Sequence, residues 1–205
     1  MRVNESLYDL AMKNMLLALL LITYPVIVYF GLQYFEPGIV AVIFALIFIF
    51  RHFNQSQSVS KIPHLNVLLV AVLSLLAYST IANSAMALKF YPVVVSLSFL
   101  VIFAYSLFTP PTVVEMIARL HEELDQQGII YTRTVTKVWC VFFILNALIA
   151  TVTVFHENEQ VWLIYNGFIS YIFMGLLMAG EFVVRFFVKR KKQHLAKSAT
   201  SKLEE

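Results

Sequence analysis

Long apolar runs, each closed by a short polar break, organise almost the whole chain. They cover roughly 14–34, 37–53, 65–82, 90–108, 134–155 and 160–188. Each is near the ~20 residues that a helix needs to cross ~30 Å of hydrocarbon. The second is the shortest, and Pro37 suits its first turn, where a missing N–H costs nothing. Arg51-His52-Phe53-Asn54-Gln55-Ser56 closes that run in a polar loop. Pro92 lies in the first turn of the fourth run, and Pro110-Pro111 stops it. His156-Glu157-Asn158-Glu159 separates the last two. The pattern predicts an all-α integral membrane protein of about six transmembrane helices in three hairpins. Residues 1–192 form a single transmembrane domain on this reading, and 193–205 a disordered cytoplasmic tail.

The segment between the fourth and fifth runs differs in kind. Thr112-Val113-Val114-Glu115 has the form of a capping box, in which the Thr oxygen accepts from the Glu amide and the Glu carboxylate reaches back. Val113, Met116, Ile117, Leu120 and Leu124 follow at helical spacing, with Glu115, Arg119, Glu122 and Glu123 mostly off that face. Glu115 and Arg119 are an i,i+4 pair in the favoured order. Gly128 reads as a C-terminal stop. The expectation is an amphipathic cytoplasmic helix over 112–127, too short and polar to span. The commoner role of such a helix is to lie along the bundle and connect two spans; the sharper alternative is to dock a cytoplasmic partner.

Composition decides the solvent. Hydrophobic residues make up 60% of the chain and charged residues 13%, against about half and a quarter in soluble domains. Too much of a soluble fold must face water for so apolar a chain. A membrane barrel would need alternating segments of about ten residues, and no such alternation is present. The first run exceeds a signal-peptide core of about 7–15 residues and ends without a small-x-small site. It reads as a retained span. The single cysteine, Cys140, makes no internal disulfide.

Basic residues orient the spans. Of the 15 Lys and Arg, all but Lys89 fall on one side, or at the helix ends facing it, when six spans alternate. The positive-inside rule then places both termini in the cytoplasm. Trp139 and Trp162 fall near opposite ends of the last two spans, where aromatic belts place such rings.

Candidate chemistry is sparse. Glu181 and Arg185 are charges within or beside the last span, and an ionisable residue deep in a membrane is functional by default. With Trp162 as the far interface, Glu181 lies ~28 Å along the helix, at the cytoplasmic edge, where it pairs with Arg185. Asn146, Asn166 and Tyr165 are polar positions inside the last two spans, with Tyr171, Ser74, Ser96 and Ser98 further candidates. The two asparagines can join the last two helices by hydrogen bonds, the commoner role of such groups in membranes. Gly175 and Ala179 form a small-xxx-small pair suited to close helix packing. Tyr24-Pro25-Val26 resembles Tyr91-Pro92-Val93, but the two sit at different depths of their runs and the likeness reads as chance. The five histidines show no metal-ligand spacing, and no phosphate loop or nucleophile motif is present. No cofactor and no nucleic acid partner is expected.

From Phe108 to Arg185 the chain resembles a family of uncharacterised bacterial membrane proteins. The resemblance rests on Thr109-Pro110-Pro111, Glu115, Ala118-Arg119-Leu120, Tyr131-Thr132-Arg133, Thr136, Trp139, Phe142-Phe143, Asn146, Trp162, Tyr165-Asn166-Gly167, Tyr171, Met174-Gly175 and Gly180-Glu181. Members look like products of gene clusters that encode acyl carrier proteins and a fatty-acid-like pathway of the aryl-polyene type. In layout the chain is also similar, more loosely, to the intracellular septation protein A family. The resemblance implies a bacterial inner membrane and a role near lipid or polyene assembly, and hands over no catalytic residue.

Together these readings favour a non-enzymatic scaffold that handles acyl chains among membrane lipid and cytoplasmic biosynthetic proteins. The rivals are a small-molecule or lipid transporter or flippase, and an integral-membrane enzyme with a cytoplasmic-face site. The candidate polar residues are Glu115, Arg119, Arg133, Asn146, Tyr165, Asn166, Glu181 and Arg185.

Overall fold

A computed structural model describes residues 24–53, 65–119 and 123–184. Among these the chain is 89% helical and has no strand. The helices are α1 (24–34), α2 (Pro37–Phe53), α3 (Leu65–Ala82), α4 (Ala85–Lys89), α5 (Tyr91–Phe108), α6 (Val113–Arg119), α7 (Gln126–Val154) and α8 (Glu159–Val184). Three of them, α5, α7 and α8, are long and apolar enough to cross a membrane; α2 and α3 add shorter apolar runs over Pro37–Phe50 and Asn66–Ala82. The start of the first expected span, the loop 54–64, residues 120–122, Arg185 and the basic tail lie outside the described residues.

Tertiary contacts divide the chain into two units, one ending at Phe168 and one beginning at Ile169. In the first, α5 and α7 make the most extensive helix pair, α2 packs on α3, and α3 on α5. One core cluster gathers Tyr24 and Val28 of α1, Val40, Ala41 and Phe44 of α2, and Val72 and Leu76 of α3, with Leu88, Tyr91 and Trp162. A second joins Val93, Ala147, Ala150 and Tyr165. The alanines of α7 are small enough to let neighbouring backbones approach, which is how helices associate where lipid tails are as apolar as the side chains. Further along the α5–α7 pair, Phe99 stacks on Phe143 at 5.5 Å and Phe103 meets it edge-on at 5.2 Å. Trp139 extends this layer against Phe142 and Phe143. Such aromatic pairs contribute ~0.5–1.5 kcal/mol each beyond burial.

The turns follow from local chemistry. Asn83 adopts φ 45°, a left-handed conformation that ends α3 and that Asn tolerates better than most residues. Its side chain accepts from Gly38 N at 2.9 Å, which ties the end of α3 to the start of α2. Ser84 caps α4 by accepting from Ala87 N at 3.3 Å. Pro92 lies in the first turn of α5 as expected. The Pro110-Pro111 bond is cis.

The helix expected over 112–127 is corrected. It is α6, Val113–Arg119, and by Gln126 the chain is already in α7. Asp125 is the cause. Its backbone is extended and its carboxylate accepts from Gly128 N at 3.1 Å, so it caps α7. Gly128, read as a stop, lies in the first turn of the new helix. α7 has 29 residues, or ~43 Å at 1.5 Å each, so it outruns the ~30 Å hydrocarbon layer by more than two turns.

In the second unit, residues 169–184 are helical, and Ile172, Phe173, Leu176, Met178 and Phe182 are exposed. Nothing lies within 4 Å of a side chain built at Gly175, so the small-xxx-small position is open there.

Candidate functional site

Three helices meet in a polar node within the first unit. Asn146 of α7 donates from Nδ2 to Ser96 Oγ of α5 at 2.9 Å. The Tyr165 hydroxyl of α8 donates to Asn146 Oδ1 at 3.0 Å. Ser96 in turn donates to the Pro92 carbonyl at 2.8 Å. One amide side chain thus links α5, α7 and α8, and all three partners are buried. A neighbouring link runs from Asn166 Nδ2 to Thr153 Oγ1 at 3.0 Å. The asparagines therefore join the last two helices, as their positions in the apolar runs suggest, and Asn146 also reaches α5.

The backbone of α8 is shaped for this node. Residues Tyr165–Ile169 form a π-helical turn. Tyr165 and Asn166, though consecutive, both reach α7, at Asn146 and at Thr153. In the wider turn Tyr165, Asn166 and Gly167 are all buried. Asn166 Nδ2 also donates to the Trp162 carbonyl at 2.9 Å, so that carbonyl gains a donor where α geometry ends. π-turns of this kind occur frequently at functional positions.

A second constellation occupies the corner between α5 and α6. The capping box is present: Glu115 N donates to Thr112 Oγ1 at 3.3 Å, and Thr112 N to Glu115 Oε2 at 3.4 Å. Val113 N donates to Ser106 Oγ at 3.2 Å and so fixes α6 to the last turn of α5. Arg119 grips Glu115 Oε1 with both Nε and Nη2, at 3.0 and 2.8 Å. Glu115 is only 4% exposed, and a buried carboxylate with a charged partner and a backbone donor meets the condition for burial. Arg133 Nη2 donates to the Leu107 carbonyl at 3.3 Å, capping the end of α5. Glu115, Arg119 and Arg133 thus sit at one end of the α5–α7 pair, engaged with protein groups.

Glu181 lies in the second unit and is half-buried, as is Tyr171. Its proposed partner Arg185 is outside the described residues. Trp162 differs from its belt reading: it is 1% exposed and its indole N–H donates to the Lys89 carbonyl at 3.0 Å. The Lys89 ammonium also pairs with Glu159. This clasp of α4 onto the start of α8 was not legible, because Lys89 reads in the sequence only as a lone charge between spans.

No three His, Cys, Asp or Glu side chains among the described residues are placed to hold a metal ion. The node supplies hydrogen bonds between helices, and the corner adds hydrogen bonds, with one ion pair within α6. Comparison with known protein families, curated proteins and solved structures finds no match.

Proposed function

We propose that this protein is a multi-pass component of a bacterial inner membrane, with six spans and both termini cytoplasmic. On this reading it is a scaffold in the assembly or handling of acyl chains, and it carries out no chemistry of its own. The observation that carries the reading is the internal pairing of the polar node. Asn146 bonds to Ser96 and Tyr165, and Asn166 to Thr153, across three helices. A transport path needs polar groups that exchange protein partners for cargo; here they are used to hold α5, α7 and α8 together. The likeness to inner-membrane proteins of acyl-carrier gene clusters supplies the setting, and Ile117 and Arg119 on α6, both about half exposed, offer the face for a cytoplasmic biosynthetic partner.

The test is complementation of a deletion strain with Tyr165→Phe, with the acyl product quantified by mass spectrometry and the protein by blotting. A scaffold keeps product in proportion to abundance. Normal abundance with product abolished overturns the scaffold and favours transport or catalysis through the node.

A further inference from the structure

Where α1 turns into α2 beside the end of α3, a groove of about 490 Å³ opens on the first unit. One wall is the face of α2 formed by Ile39, Val42 and Ile43, each at least 40% exposed. Those positions share one helix face by their three- and four-residue spacing. At its polar end are Glu36 and Asn83.

The polar end has acceptor capacity to spare and little donor capacity. The first amides of α2 are used: Gly38 N donates to Asn83 Oδ1, and Ile39 N and Val40 N to the Glu36 carbonyl. The helix start is therefore not open to an anion. Glu36 Oε2 faces Asn83 Nδ2 at a long 3.5 Å, and among the described residues no basic side chain pairs with the carboxylate. A carboxylate accepts about four hydrogen bonds, and among the described residues Asn83 is the partner shown for Glu36, which leaves acceptor capacity on a residue that lines the groove. Among the described residues the lining holds no aromatic ring, and aromatic faces are what recognise quaternary ammonium groups. A headgroup with N–H bonds fits better.

We propose that this groove binds a membrane lipid whose headgroup ends in a primary ammonium. The ammonium donates to Glu36, and an acyl chain lies along Ile39, Val42 and Ile43. The site is separate from the polar node and does not depend on the scaffold reading.

Native mass spectrometry of the full chain in detergent tests it, with dioleoyl phosphatidylethanolamine, its N-acetyl derivative and dioleoyl phosphatidylcholine as probes. The expected result is at least fivefold greater retention of the free amine than of either control. Glu36→Gln should bring the three within twofold of one another. Val42→Trp, which fills the groove from an exposed position, should lower retention of the amine lipid at an unchanged melting temperature. Equal retention of all three lipids by the unaltered protein overturns the proposal, as does a preference that survives Glu36→Gln. Should Glu36→Gln fail to fold, undiminished retention by Val42→Trp overturns it alone. A dimer lost in Val42→Trp would make a second copy the occupant, which also overturns it.

Discussion

Tyr24 and Tyr91 stack on one another with ring centroids 3.7 Å apart and planes inclined by 24°. Each begins a Tyr-Pro-Val segment, so the likeness that reads as chance along the chain becomes a contact in space. Phe44 leans on the Tyr24 ring at 4.5 Å. The Tyr24 hydroxyl donates to the Leu88 carbonyl at 3.4 Å. That carbonyl lies in the last turn of α4, where helix carbonyls lack the full set of intrahelical donors. The tyrosine of one segment thus fastens the helix end that leads into the other.

Two substitutions separate the ring from the hydroxyl. Tyr24→Phe keeps the stack and loses a long hydrogen bond, so it should cost ~0.5–1.5 kcal/mol. Tyr24→Ala removes a fully buried aromatic ring and should cost ~3–5 kcal/mol. Unfolding in mixed detergent micelles measures both. A Phe variant as damaged as the Ala variant would show that the hydroxyl, not the ring, holds α1 against α5.

The parts that were legible in the sequence are the long apolar runs. α3 occupies the expected 65–82 and α5 begins one residue inside 90–108, because the apolar runs are bounded by readable polar and proline breaks. Asp125 was not legible. The apolar periodicity through Leu124 argues for continuing one helix, and only the bond from Gly128 to the Asp carboxylate reveals a new start. The node was half legible. Asn146 and Asn166 are conspicuous in apolar runs, but nothing along the chain pairs Asn146 with Ser96. Trp162 misled because a ring near a helix end looks the same whether it faces lipid or protein.

Thr112 tests the corner. Thr112→Ala removes the oxygen that accepts from Glu115 N and should weaken the start of α6 by ~1 kcal/mol. The spans should still insert, since insertion follows hydropathy. Hydrogen exchange of residues 112–118 should quicken while that of the α7 interior stays slow. Unchanged exchange over 112–118 would mean that Ser106 alone secures the helix start.

The six-span arrangement makes a prediction about sidedness. Glu157 is exposed between α7 and α8, and Ser60 lies in the loop expected on the opposite side. In a chain with Cys140 replaced by serine, an impermeant thiol reagent applied outside the inner membrane should label a cysteine at Glu157 and spare one at Ser60. Labelling of both, or of Ser60 alone, would require a different number of spans.

The clasp at α4 should be held by the indole more than by the charge. Trp162 is buried and bonded to the Lys89 carbonyl. Glu159, by contrast, is 58% exposed, and such ion pairs contribute only ~0–1 kcal/mol. Glu159→Gln should therefore leave stability nearly unchanged and be insensitive to salt. Trp162→Phe loses both a hydrogen bond and packed volume and should cost ~2–4 kcal/mol. The reverse order of these two effects would mark the ion pair as the fastening.

Asn146 is the position on which the node turns, and a double-mutant cycle isolates its bond to Tyr165. Tyr165→Phe leaves the Asn146 oxygen without its 3.0 Å donor, while Asn146→Ala removes both that acceptor and the donor to Ser96. Hydrogen bonds between membrane helices measured this way average ~0.6 kcal/mol and reach ~1.7. A buried group that loses its partner pays desolvation as well, so the single changes should each exceed the coupling between them. The expected coupling is ~0.5–1.5 kcal/mol in a detergent unfolding assay, with Asn146→Ala the more damaging single change because it also frees Ser96. Additive effects would mean that the Tyr165 hydroxyl and the Asn146 amide contribute independently. The three helices would then be held by the packing of Ala147 and Ala150, and the polar node would be open to another role.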